Sequence, residues 1–263
     1  MNQQNVQRIN GRNDMRNNIN NIKKVYKSQL GSIPKIVNNI KFKTQNQALF
    51  YHKVGNPEVQ LVLCHGIAGT GKTYVSIYKA LQDVLRRGTP YNKLIIINPT
   101  VDVGNEDKLG YLPGELQSKI QQYNESTFTI LDKIVGKDKA SKLIHDGKIE
   151  IGVLNFLRGT NLENCYIILD EAQNVSPMQI KTLMTRISEN CKMIIQGDMS
   201  QCDKYKANGL TAYEKSGFYD VWNRLKDIKG VDHMAFTRDD CVRHQLVKRI
   251  LKTYEDEHEI NLS

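Results

Sequence analysis

Between an apolar run, Leu61-Val62-Leu63-Cys64, and a stretch from Tyr74 to Arg87 with apolar residues at helical spacing, the chain carries Gly66-Ile67-Ala68-Gly69-Thr70-Gly71-Lys72-Thr73. This is the G-x-x-x-x-G-K-[ST] pattern, whose glycines let backbone N–H groups close around phosphates. The order strand, glycine loop, helix puts the loop at a helix N-terminus, where unpaired N–H groups and the helix dipole favour an anion. Lys72 is then expected to reach the β- and γ-phosphates of a nucleotide, and the Thr73 hydroxyl to bind Mg²⁺. A glycine-rich turn without a ligand is the alternative, and the flanking elements weigh against it.

The alternation continues along the chain. Lys93–Pro99, Ile149–Leu154, Cys165–Leu169, Lys192–Gln196 and His233–Thr237 read as further strands. Helices are expected at Glu115–Tyr123, Phe128–His145, Ser176–Ser188, Ala207–Ile228 with a break near Gly217, and Cys241–Glu255. Pro177 beside Ser176 is a helix-start signal. Strands alternating with helices predict an α/β fold of three layers, a mostly parallel sheet flanked by helices. The segment 41–55, ending before Pro57, carries no clear signal of its own.

Charge separates an arm from this domain. Residues 1–44 hold nine Lys/Arg against the single acid Asp14, so they account for +8 of the formal +9. The first 40 residues, rich in Asn and Gln, are expected to be a flexible basic arm, 41–258 a P-loop domain, and 259–263 a tail. A basic arm can lie along a phosphate backbone. A merely solvated tail is the alternative, because no aromatic residues are interleaved for base stacking within residues 1–20. The five cysteines are scattered and read as buried reduced thiols. With no apolar run of membrane-spanning length and no N-terminal signal, a soluble cytoplasmic protein that engages no membrane is expected.

A buried strand ending on Asp170 supplies what a P-loop site needs, a carboxylate holding Mg²⁺ at the C-terminal edge of the sheet. Glu171 beside it can orient or deprotonate a water attacking the γ-phosphate, which points to hydrolysis. Capping of the next helix is its alternative role. Gly197-Asp198-Met199-Ser200-Gln201 leaves another strand end and puts Gln201 where a γ-phosphate could be sensed, although Gly-Asp is also an ordinary turn.

With these residues in view the chain resembles the PhoH family, phosphate-starvation-inducible ATPases with one RecA-like domain related to superfamily 1 helicases. Gly66–Thr73, Leu109–Gly114, Phe156–Gly159, Ile167–Asn174, Leu183–Arg186, Gly197–Gln201, Asn208–Leu210 and Val242–His244 carry the resemblance in family order. It implies Mg²⁺ binding by Asp170, water activation by Glu171, and coupling of phosphate state to motion by Gln173. It further implies adenine reading by Gln47, phosphate sensing by Gln201, and an arginine finger at Arg243 supplied to a neighbour's site. Arg158 and Arg186 compete for that last role, and Arg243 could instead pair with Asp239 or Asp240. Asn98 and Asn161 stand where the family usually has arginine.

The resemblance implies ATP and Mg²⁺ as ligands, a homo-oligomer such as a hexameric ring, and RNA or single-stranded DNA as a polymer effector. Compact length and an Asn/Lys-rich composition fit a phage-encoded member. An Mg²⁺-dependent ATPase is therefore expected. The alternatives are a helicase or translocase that unwinds nucleic acid, and a regulatory nucleotide-binding protein whose slow hydrolysis involves none.

Overall fold

A computed structural model describes residues 39–99, 124–152, 162–201, 216–247 and 249. The chain divides into two units, Met1–Lys35 and Ile36–Ser263, and every described residue belongs to the second. Six strands form one parallel sheet: β1 (Leu61–His65), β2 (Lys93–Ile97), β3 (Ile149–Gly152), β4 (Cys165–Leu169), β5 (Lys192–Gly197) and β6 (Val231–Ala235). Their order is β3-β2-β4-β5-β1-β6. Strands β1, β2, β4 and β5 lie inside the sheet and are almost wholly buried, which is why they read as continuous apolar runs rather than alternating ones.

Successive side chains nonetheless point to opposite faces, and each face has its own core. Val62, Cys64, Ile96, Ile168 and Ile194 pack with α1 (Gln45–Gly55) and α2 (Lys72–Val84) on one side. Helices α3 (Glu125–Val135) and α4 (Lys137–His145) complete that layer. Leu63, Ile97, Ile167, Leu169 and Ile195 pack on the other side with α5 (Pro177–Met184) and α6 (Gly217–Arg224). The three expected layers are present.

Several boundaries differ from the sequence reading, each for a local reason. Helix α1 is new: Thr44 caps it, its hydroxyl accepting from Gln47 N, and Phe50, Tyr51 and Val54 face the core. The single helix expected over Phe128–His145 is two, broken at Gly136 with φ +87°. Strand β6 starts at Val231 rather than His233, since its edge position tolerates Asp232, whose carboxylate bonds the Lys53 ammonium. Helix α5 begins at Pro177 as expected, with Ser176 and Gln179 forming a reciprocal capping box, but ends at Met184. The expected helix Glu115–Tyr123, residues 1–38 of the arm, the tail and residues 207–215 lie outside the described residues. The closing helix expected from Cys241 is not helical over residues 241–244, where Val242 N is bonded to Gly69 O, and becomes helical from residue 245.

At the N-terminal edge of the sheet the core holds charge. Lys79 Nζ lies 2.7 Å from Asp83 Oδ1, both residues at most 5% exposed, and the buried Tyr166 hydroxyl donates to Asp83 Oδ2 at 2.6 Å. Lys192, 2% exposed at the start of β5, donates to the carbonyls of Val54 (2.9 Å) and Asn56 (2.5 Å) at the end of α1. Burial pushes its pKa down to about 8. Cys64, Cys165, Cys191 and Cys241 are buried free thiols.

Candidate nucleotide-binding site

The glycine loop joins β1 to α2. Gly69 and Gly71 sit at φ +85° and +87°, a region that other residues reach only with strain, so the glycines are required by the backbone path. A Cβ at Gly66 would meet the Cβ of Phe236 at 2.6 Å, so the loop also needs glycine for close packing against the segment after β6. Lys72 is 8% exposed, and its ammonium donates to the carbonyls of Gly66 (2.5 Å) and Ile67 (3.1 Å). Thr70 is buried and its hydroxyl donates to Ile67 O at 3.0 Å. Ile67 and Ala68 line the loop, and Ala68 O faces the Cys241 thiol at 3.8 Å.

The strand order brings the two halves of the site together. The Thr73 hydroxyl donates to Asp170 Oδ2 at 2.7 Å, joining the start of α2 to the end of β4. Gln196, on the intervening strand β5 and fully buried, donates from Nε2 to both Thr73 Oγ1 (3.1 Å) and Asp170 Oδ1 (3.0 Å). Sequence reasoning missed this residue, although an amide ending an otherwise apolar strand was visible. A hydroxyl and a carboxylate are hard oxygen donors of the kind Mg²⁺ takes, and Gln196 leaves its carbonyl oxygen buried without a partner among the described residues. These residues fit a divalent cation.

Glu171 follows in a left-handed conformation, φ +48°, which turns its side chain out of the strand direction. The residue as a whole is exposed, yet its carboxylate sits in a crowded cleft, where desolvation and then the charge of Asp170 raise its pKa. Gln173 opposes that rise by donating from Nε2 to Glu171 Oε2 at 2.7 Å. The same amide accepts from Asp198 N at 3.0 Å through Oε1, so Gln173 ties the end of β4 to the end of β5. His65 at the end of β1 is held below its ordinary pKa by burial, despite Asp198 nearby.

On the other side of the loop, Gln47 is 5% exposed. It donates to Thr70 O at 2.9 Å and accepts from Lys43 N at 2.8 Å. Adenine reading would have to use the remaining N–H and lone pair of that amide. Its neighbour Asn46 donates to Asp240 Oδ2 at 2.6 Å. Burial alone would raise the Asp240 carboxyl, but hydrogen bonds from Asn46, Thr237 and Thr44 outweigh it and hold the pKa low. The chain then returns to the loop, with Val242 N donating to Gly69 O at 2.9 Å, and the Arg243 stem runs directly over Gly69.

Arg243 thus lies at its own chain's loop. Oδ2 of Asp240, one of its alternative partners, accepts from Asn46 and Thr237. Gln201 ends the 3₁₀ turn Met199–Gln201, is exposed, and is connected to the site by its backbone N–H to Asp198 O at 3.1 Å. Arg186 lies just beyond α5 and is half-buried, and Arg158 and Asn161 lie outside the described residues. Asn98, after β2, donates to Asn124 (2.5 Å) and Thr127 (3.1 Å) and so anchors the start of α3.

The family model described as PhoH-like protein matches residues 39–255. A PhoH-like protein of Synechocystis sp. is 37% identical over 216 residues, 82% of this chain and 62% of that relative. One from Bacillus subtilis is 39% identical over 198 residues, covering 75% and 59%. Protein PhoH of Escherichia coli is 32% identical over 212 residues, covering 80% and 57%. The chain spans about three fifths of the length of these curated relatives. Among solved structures, the large terminase from a thermophilic bacteriophage superposes with a TM-score of 0.51 at 14% identity, over 81% of this chain and 50% of that one. That likeness is one of fold. No helix among the described residues is long and apolar enough to cross a membrane.

Proposed function

The chain belongs to the PhoH-like protein family, and from that premise we propose that it is an Mg²⁺-dependent ATPase. The observation that carries the reading is the 2.7 Å contact between Thr73 and Asp170, with Glu171 next in sequence at the mouth of the same cleft. A loop that cradles phosphates, a hydroxyl and carboxylate suited to Mg²⁺, and an adjacent second carboxylate make up the parts phosphoryl transfer to water requires.

Thr73 and Asp170 would hold the ion, which when bound neutralises charge on the β- and γ-phosphate oxygens. Lys72 exchanges the carbonyls of Gly66 and Ile67 for phosphate oxygens. Glu171 accepts the proton of the attacking water at the carboxylate oxygen that Gln173 does not occupy, and its raised pKa makes it a stronger base than an ordinary carboxylate. Gln173, gripping both Glu171 and the backbone of Asp198, passes the state of the site to the turn that carries Gln201. Arg243, lying over Gly69, supplies positive charge in cis as the transition state develops.

RNA or single-stranded DNA is the effector we propose, on the strength of the nine Lys/Arg within residues 1–44. The test is steady-state ATP hydrolysis by the wild type and Glu171→Gln, each with and without poly-RNA and single-stranded DNA. Turnover that is lost in Glu171→Gln and rises with a polymer supports the full reading. Turnover indifferent to both polymers supports a regulatory ATPase, and its absence in a protein that still binds ATP overturns hydrolysis.

A further inference from the structure

Strand β5 lies between β1, which leads into the glycine loop, and β4, which ends on Asp170. A polar side chain near its C-terminal end is therefore placed to touch both halves of the site. Gln196 occupies that position, opposite Cys64 in the register with β1. It is fully buried and bonds to both Thr73 Oγ1 and Asp170 Oδ1. With the Thr73 to Asp170 hydrogen bond the three side chains form a closed triangle, with edges of 2.7, 3.0 and 3.1 Å.

The chemistry fixes which way the amide points. An ionised carboxylate only accepts, so the NH₂ group must face Asp170, and its two hydrogens are used on Asp170 and Thr73. The carbonyl oxygen is left buried, without a partner among the described residues. A buried acceptor beside two hard oxygen donors suits a bound water of a hydrated cation, since Mg²⁺ keeps several waters when protein-bound.

We propose that Gln196 is a positioning residue of the divalent-metal site and that its amide sets the affinity of the nucleotide-bound protein for Mg²⁺. This rests on the reading of the site as one for Mg²⁺ and ATP. The amide holds the Thr73 hydroxyl and the Asp170 carboxylate at one spacing, so the pair need not be assembled when the ion arrives. Groups that orient ligands in this way change metal affinity strongly without touching the metal.

The experiment titrates Mg²⁺ into the full chain with a fluorescent ATP analogue and reads binding, not turnover. Gln196→Leu keeps the volume and removes the amide; it is expected to raise the Mg²⁺ half-saturation by about tenfold or more, with the metal-free affinity for the analogue unchanged. Gln196→Glu sets a second negative charge beside Asp170, and a divalent cation relieves that repulsion. Its half-saturation is expected to fall below the wild-type value. A residue with only a structural role would not move the two variants in opposite directions. An unchanged half-saturation in Gln196→Leu, or a parallel fall in metal-free affinity and thermal midpoint in both variants, overturns the proposal while leaving the ATPase reading intact. A wild type that binds the analogue with no dependence on Mg²⁺ overturns both.

Discussion

The side chain of Arg243 lies across Gly69 of the same chain: a Cβ at Gly69 would come within 2.7 Å of both Cγ and Nε of the arginine. The backbone bond from Val242 N to Gly69 O, 2.9 Å, keeps the two segments in register. Arg243→Ala is expected to lower kcat by about a thousandfold, the lower range for a charge-stabilising arginine. Mixing Lys72→Ala and Arg243→Ala chains is expected to restore nothing, because loop and arginine must come from one chain. Recovery of turnover in the mixture would show that the arginine acts across a subunit boundary.

On the proposed role of Glu171 as general base, this carboxylate sets the pH dependence of turnover. A general base works ionised, so activity is expected to fall as pH drops through its raised pKa. The Gln173 N–H favours the ionised form, and Gln173→Ala is therefore expected to move the acid limb of the kcat profile to higher pH. Glu171→Gln is expected to lower kcat by roughly 10²- to 10⁴-fold and to abolish that limb. A profile in Gln173→Ala shifted toward lower pH would contradict the assignment.

Gln47 braces the loop through Thr70 O, and its other amide atom is engaged by Lys43 N. Gln47→Ala is expected to weaken ATP and GTP binding together, by roughly tenfold. Equilibrium binding of the two nucleotides checks this: a loss confined to ATP would assign base reading to the residue instead.

The buried pair at the opposite edge bears on stability alone. Lys79→Met leaves Asp83 with a charge that Tyr166 and the half-buried Arg86 must satisfy, and is expected to cost about 3 kcal/mol in urea unfolding. The double variant Lys79→Met/Asp83→Asn removes the stranded charge and is expected to recover part of that loss. Equal losses in the single and double variants would mean that the charge itself matters little.

The glycine loop and Asp170-Glu171 were legible because each depends on residues adjacent in sequence, and the inner strands because they are apolar on both faces. What was not legible depends on which strands are neighbours. Gln196 gains its place only from the position of β5 between β1 and β4, and Arg243 only from the return of the chain to Gly69. Helix α1 escaped notice because Gln47, His52 and Lys53 dilute its apolar positions, although Thr44 is a good cap. Gly136 within a helical pattern gave no warning of a break into two helices, since its φ of +87° is a property of the folded backbone.

Helix α1 is fastened at both ends, by Gln47 to the glycine loop and by its last carbonyls to Lys192 at the foot of β5. Its 11 residues make a rod of roughly 16 Å. Removing one residue between the fastenings would shorten it by about 1.5 Å and swing one end by about 100°, carrying Gln47 away from Thr70. The segment acts as a gauge block: its length is set by the distance from the floor of the sheet to the phosphate loop, and Asn46 and Lys53 pin its flanks to Asp240 and Asp232.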